Sequence, residues 1–438
     1  MSCLFPPLKE NTRQVTAELD DLFTEQGIAI GGDGDTVKLT TGGQHNRPHQ
    51  LQRRLPTSAQ RTPKGSPPLR FEAAEHTAIG DRTLLRFANA PALPARQVPL
   101  HLPNGLALTY GQVIALGGDF YGIPDQPINE GASPAERVQR FTNAFNSLAK
   151  RPASNTEATL ILKVMQKEID AVNQAIKDGK QPHEAYDALA DTLSEQWNRI
   201  TGGGSFISAL FPLGRYLKLA ANNTDHFAEG ALLAYLAGHT AALQQAALGH
   251  ERGDENHLVL AYAMNAFADH YLTDLYSAGH LRVPRRQLAA VVTPSDLGSL
   301  ISRFMHDEDS KFGLQVRNDN GDQWRMYGDK RYFDANDSAN RAQVNQAVQI
   351  SVDEIAAAFF SGIVPSAGQF AALKRLPDLQ AVLTAQDNFS PLFKVEGNKV
   401  VRRKNVNDLN DTDTVEDWWG WSTYLLLKHY QPTHAPRT

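Results

Sequence analysis

The stretch Phe267-Ala-Asp-His270-Tyr-Leu-Thr-Asp274-Leu-Tyr-Ser-Ala-Gly-His280 decides how the rest of the chain is read. It sets His270, Asp274 and His280 in a His-x3-Asp-x5-His array. A spacing of four puts His270 and Asp274 on one face of a helix with Cβ atoms ~5–6 Å apart, so an imidazole nitrogen and a carboxylate oxygen can meet at one cation. Gly279 can end or bend the helix and turn His280 back toward the same point. Neutral imidazole and carboxylate are the ligands zinc takes where thiolates are lacking, and the only cysteine is Cys3. The competing reading is a polar helix face over a core of Leu272, Leu275 and Tyr276. The surrounding sequence separates the two.

Seven of the fourteen histidines fall between His226 and His306: His226, His239, His250, His257, His270, His280 and His306. A polynuclear, sulfur-free site needs such clustering, together with carboxylates shared between cations that would otherwise repel one another. His239 lies inside an Ala/Leu-rich face and reads as a packed histidine satisfied by one hydrogen bond. His76 sits on a helix predicted over 72–86, with Asp81 five residues on. Asp119 ends a capped helix that begins at Thr109 and runs into the Gly117-Gly118 turn. His226 stands at the mouth of a helix predicted over 229–249, with Thr224 or Asp225 as its N-cap. His306 closes a predicted helix over 297–306 and is followed by Asp307, Glu308 and Asp309.

Apolar spacing predicts further helices over 135–149, 156–178, 184–199, 206–220, 257–279, 339–360 and 367–383, and hairpins over 28–40, 313–327 and 393–401. The expectation is a mainly α, multi-helix fold with a few short hairpins. It divides into a poorly ordered segment over 1–69, a helical domain over 70–385, and a hairpin with a Trp-rich helix over 386–438 as a small subdomain. Trp418, Trp419 and Trp421 read as docked into a core rather than as a membrane-interface patch.

A formal charge of −5 and a pI near 6.3 argue against duplex DNA as a partner, since that needs a basic footprint. No charged n-region precedes an apolar run, so no signal peptide is read, and no run reaches the ~18 apolar residues of a membrane span. The chain is expected to be cytoplasmic, or exported by a route that leaves its N-terminus uncut.

Taken together, these pieces resemble the zinc-dependent phospholipase C family and its single-strand nuclease relatives, all-α enzymes that hold three zinc ions in a cleft. His270-Tyr-Leu-Thr-Asp274 with His280 is similar to that family's ligand stretch, Leu116-Gly-Gly-Asp119-Phe-Tyr121 to its early aspartate, and His226-Phe227 to its His-Phe position. The match spans about 76–309. The resemblance implies that one zinc takes Asp119, His226 and His270, and a second takes His280, His306 and Asp309, with Glu308 the weaker choice. A third would take His76, bridged to the first by Asp274; Glu75 and Asp81 are the nearest candidates in this sequence to complete it. Asp119 and Asp274 are the implied catalytic carboxylates. Two departures stand out: Ser310 occupies the position of the family's last ligand, a glutamate, and the family's terminal-amine ligand has no counterpart near His76. The implied activity is phospholipase C hydrolysis of phosphatidylcholine or a related phospholipid at a membrane surface. The alternatives are a zinc-dependent single-strand nuclease or nucleotidase, and a non-catalytic zinc-stabilised binding or effector protein.

Overall fold

Helix follows helix along this chain, and several start on a proline whose fixed φ suits a first turn. A computed structural model describes residues 73–88, 90–204, 213–292, 295–384 and 388–432. The segment expected over 1–69, with its hairpin over 28–40, lies outside the described residues. The order opens with α1 (Ala73–Asp81), strand pair β1 (Leu84–Leu85) and β2 (Leu93–Pro94), strand pair β3 (Leu100–His101) and β4 (Ala107–Leu108), and α2 (Tyr110–Leu116). Three long helices follow: α3 (Pro134–Ala149), α4 (Pro152–Lys177) and α5 (Pro182–Ile200). Next come α6 (Arg215–Ala221), α7 (Ala228–Arg252), α8 (Glu255–Asp274), α9 (Ala278–Leu281), α10 (Arg285–Val291) and α11 (Ser295–Phe312). Hairpin β5 (Leu314–Arg317) and β6 (Gln323–Met326) leads to α12 (Ser338–Ser361) and α13 (Leu379–Thr384). A three-stranded sheet of β7 (Phe393–Glu396), β8 (Lys399–Arg403) and β9 (Thr414–Val415), then α14 (Gly420–Lys428), ends the described chain. The fold is mainly α, as the periodicity predicts.

The frame that positions the site is the antiparallel pair α7 and α8, flanked by α2, α3 and α12. Every residue of α8 from Ala261 to Asp274 is buried. That helix is therefore buried all round rather than on one stripe, its polar Asn265, Asp269, His270, Thr273 and Asp274 included, and Ala261, Ala263, Ala266 and Ala268 keep its neighbours close. Gly253 in the left-handed region and Asp254, whose side chain accepts from Asn256 N–H, join α7 to α8 at one end. The start of α7 consequently lies beside the end of α8, which sets His226 against His270 and Asp274.

Several predicted elements differ: the helix expected over 72–86 ends at Asp81 ahead of β1, and that expected over 206–220 is, among the described residues, only Arg215–Ala221, residues 205–212 lying outside them. The helix expected over 257–279 stops at Asp274, and a separate turn, α9, carries His280. The helix expected over 367–383 is two single 3-10 turns and the short α13, interrupted at Pro377, which cannot donate to a helical ladder. Phe227, not Thr224 or Asp225, caps α7. The Asp225 carboxylate instead accepts from the backbone N–H groups of Ile128 (2.8 Å) and Asn129 (2.7 Å).

The C-terminal sheet and α14 pack on α10 and α11 through a second apolar cluster that includes Phe227, Met305, Phe393, Trp418 and Trp421. Trp418 is 3% exposed and Trp421 1%, so both are core residues. Among the described residues no helix is long and apolar enough to cross a membrane.

Candidate metal centre

The ends of α7 and α8 bring five histidines and three aspartates together, all buried. His270 and Asp274 lie one turn apart on α8, with His270 Nε2 3.6 Å from Asp274 Oδ2. His226, on the turn before α7, places Nδ1 2.9 Å from Asp274 Oδ2 and 3.1 Å from His270 Nε2. Tetrahedral ligands at zinc–nitrogen and zinc–oxygen distances stand roughly 3.3 Å apart, which these separations match. On the other side of Asp274, α9 delivers His280, whose Nδ1 is 3.5 Å from Asp274 Oδ1.

What makes these imidazoles ligand-like is where their other nitrogen goes. His270 Nδ1 donates to the Ile114 carbonyl (2.9 Å), and His280 Nδ1 donates to the His226 carbonyl (2.8 Å). His76 Nδ1 donates to Thr273 Oγ1 (3.0 Å), and the Thr273 hydroxyl is itself spent on the carbonyls of Asp269 and His270. In each case the lone pair is left on Nε2, the tautomer a metal requires. Burial pushes His270 down to about 3, against the pull of Asp274, so it is neutral at ordinary pH. Burial likewise holds His76 well below the usual range, with His270 adding to the effect.

Asp274 completes the fit. Both its oxygens, and Nε2 of His280, are buried without a hydrogen bond among the described residues. Burial raises its carboxyl to about 6, although His270 and His280 pull the other way. A buried carboxylate with no hydrogen bond to either oxygen is costly unless a cation neutralises it.

Three groups have ligand atoms within 4.8 Å of one another: His76, Asp119 and His270; His226, His270 and Asp274; and His280, His306 and Asp329. Such groups can hold a metal ion. His270 belongs to two of them but has one lone pair to give. The geometry therefore offers two independent centres, one around His270 and one around Asp329. His76 sits with Asp119 and His270 rather than with Asp274, unlike the bridge expected from the resemblance. The Gly118 backbone passes so close that an added Cβ would lie 2.5 Å from His270 Cδ2, which helps bring Asp119 to this point.

The acidic ligand expected after His306 is elsewhere. Asp309 is held by the Arg282 guanidinium at 3.0 and 2.7 Å, and Glu308 by that of Arg403 at 3.0 and 2.7 Å. Their charge is neutralised by those pairs. Asp329, on the loop after β6, takes the place instead, with Oδ2 2.9 Å from His306 Nε2 and 3.6 Å from His280 Nε2. The small Ser310 makes room for that loop: Gly328 N–H donates to its carbonyl, and a Cβ on Gly328 would strike its hydroxyl. Ser310, where the resemblance leads one to expect a glutamate, is thus the position over which the Asp329 loop passes. No spacing rule reaches Asp329, because its proximity is made by the loop's return and not by helix periodicity.

Glu75 and Asp81 do not join the groups. Glu75 accepts from the N–H of Lys330 (3.1 Å) and Tyr332 (2.9 Å), anchoring the loop that carries Asp329. Asp81 accepts from Gly111 N–H at the start of α2. His306 reaches Asp307 with Nδ1 (3.0 Å) and Asp329 with Nε2. Burial opposes its charge, but Asp329 and Asp307 outweigh burial and raise it to about 10. A cation between Nε2 and Asp329 would replace that shared proton. His250 and His257 lie at the far end of the α7–α8 pair, with His250 Nδ1 on the Phe359 carbonyl, and play no part here. No family model, curated protein or solved structure matches this chain.

Proposed function

We propose that the protein is a zinc-dependent phosphodiester hydrolase of the phospholipase C type, acting on a phospholipid, with at least two zinc ions per chain. The observation that carries this reading is Asp274, a fully buried carboxylate with no hydrogen bond to either oxygen among the described residues, 3.6 Å from His270 Nε2 and 3.5 Å from His280 Nδ1. His270, with His226, Asp274, Asp119 and His76 around it, would hold one ion, and His280, His306 and Asp329 a second. Zinc in such a centre supplies Lewis-acid stabilisation of the charge that builds on phosphoryl oxygens. The chain's own residues then have distinct tasks. Asp274 keeps the two centres close by facing both. Asp119, at the edge of the first, is the carboxylate placed to accept a proton from the attacking water. Glu75 and Ser277, whose hydroxyl donates to Asp329 Oδ1 (2.6 Å), hold the Asp329 loop in register.

The test is metal content of the purified protein, measured alongside release of the phosphorylated headgroup from phospholipid vesicles. Zinc above one equivalent, activity lost on chelation and regained with Zn²⁺, is the expected result. Absence of bound transition metal after chelator-free purification would overturn the reading. Preference for single-stranded nucleic acid over lipid would replace the substrate with that of the nuclease relatives.

A further inference from the structure

His226 and Phe227 are neighbours in sequence that serve different metal groups. The His226 ring belongs with His270 and Asp274, whereas its carbonyl accepts from His280 Nδ1 (2.8 Å). The next ring, Phe227, lies flat on the imidazole of that same His280, with centroids 4.7 Å apart and planes at 15°. Contacts within the first group have a different character: His226–His270 and His270–Tyr271 are edge-on at 87°. The backbone bends sharply to make this division. Phe227 is extended between the 3-10 turn that ends at His226 and the start of α7. Ala228, which follows, has φ +44°, in the left-handed region that a residue with a Cβ rarely occupies. Such strain persists only where the surroundings over-determine the conformation. Here they do: Phe227 is 6% exposed and belongs to the apolar cluster of Val283, Leu288 and Met305. The guanidinium carbon of Arg285 stands 5.2 Å from the ring centre. Arg285 is itself fixed, donating to the Ala220 carbonyl (2.7 Å) and to Ser302 Oγ (2.8 Å).

His280 needs such a hold. Helix α8 has ended at Asp274, and the short turn α9 that carries His280 has no long helix behind it to set the ring. One N–H···O bond fixes a point on the imidazole and leaves the ring free to swing about that bond. A parallel aromatic face removes the freedom. The plane so defined directs Nε2, buried with no hydrogen bond among the described residues, toward Asp329 Oδ2 at 3.6 Å. We propose that Phe227 is a positioning residue: it sets the plane of His280 and so aims Nε2 at the point shared with His306 and Asp329. The proposal rests on the reading of that second group as a metal centre.

Magnetic resonance of the full-length protein as purified, with ¹³C-labelled histidine, tests the hold itself. Protons above an aromatic face are shielded, so the assigned His280 ring protons should lie upfield of the ordinary range. They should return toward it in Phe227→Leu, which keeps an apolar side chain but not the flat face, and stay upfield in Phe227→Tyr. Zinc titration of the same proteins tests the consequence. Phe227→Leu should weaken one class of bound zinc by about 10-fold and leave the other within about twofold, as loss of a group that orients a ligand does, with Phe227→Tyr close to wild type. Val292→Ala, a truncation in the same apolar cluster, should leave both classes unchanged and so controls for general loosening. Unshielded His280 protons in the wild-type protein, which need no variant to fold, would overturn the proposal. So would unchanged zinc affinity in Phe227→Leu, or losses in Phe227→Tyr or Val292→Ala equal to those in Phe227→Leu. A protein that shows the shielding and its loss in Phe227→Leu, yet binds no zinc, would sink the metal reading of the site and uphold the hold on His280.

Discussion

His239 and His270 are both fully buried, on adjacent helices of one pair, yet they have opposite surroundings. His239 Nδ1 meets Asn265 Oδ1 at 2.6 Å, and its Nε2 faces a single carboxylate, Glu354, at 3.4 Å. Around it Asn265, Ser351, Tyr110 and Asp269 satisfy one another: Tyr110 and Ser351 hydroxyls each donate to Asp269 at 2.7 Å, and Asn265 donates to both hydroxyls. That network, centred on the Asp269 carboxylate, pins α8 to α2 and α12, while His239 Nε2 and Glu354 Oε2 stay outside it without a hydrogen bond among the described residues. At the other end of the same helices, the imidazole N–H groups are spent on carbonyls and a hydroxyl, and Nε2 of His270 faces Asp274 while that of His280 faces Asp329. The lesson is that burial does not mark a ligand histidine. The partner of its second nitrogen does.

The comparison breaks most severely at Asp274. Asp274→Asn removes charge from both centres at once, so metal affinity should fall by more than ~100-fold and hydrolysis with it. Metal stoichiometry by elemental analysis reads this directly, and full retention of metal would show that Asp274 is not shared.

A finer cut separates Asp329 from Asp309. Asp329→Asn should lose the metal bound by His280 and His306 while the His270 centre keeps its own. Asp309→Asn should keep both, yet lower stability by about 3–5 kcal/mol by leaving Arg282 buried without its partner. Denaturant melts beside metal analysis distinguish the two, and the reverse pattern would restore Asp309 as the ligand.

Thr273 tests the tautomer argument. Thr273→Val removes the acceptor that holds the His76 proton on Nδ1, so affinity at the first centre should drop about 10-fold, with Thr273→Ser restoring it. Equal behaviour of Val and Ser variants would remove Thr273 from the account. The smallest effect on metal is expected from His239→Asn. It should keep its zinc and much of its activity while losing about 1–3 kcal/mol of stability from the buried network. Metal loss there equal to that of Asp274→Asn would mean that the wrong histidine network has been chosen.

By itself the sequence determined the helical architecture, because apolar spacing is local and the caps that start helices are too: Thr109 and Gln112 form a reciprocal capping box on α2. Hairpins at Gly321 and Gly397 were legible for the same reason, since both glycines take the positive φ their turns require. The pairing of His270 with Asp274 was legible because a four-residue spacing is a distance in a helix. Histidine clustering brought His226, His280 and His306 into view, and the family resemblance added His76 and Asp119, but not which of them meet. The tertiary structure alone decided that Asp309 answers Arg282, that Glu75 anchors a loop some 250 residues away, and that Asp329 stands beside His306. Each of these depends on two segments distant in sequence closing on one another. Which carboxylate a buried guanidinium captures, and which it leaves for a cation, is settled only when the packed chain fixes the distances between them.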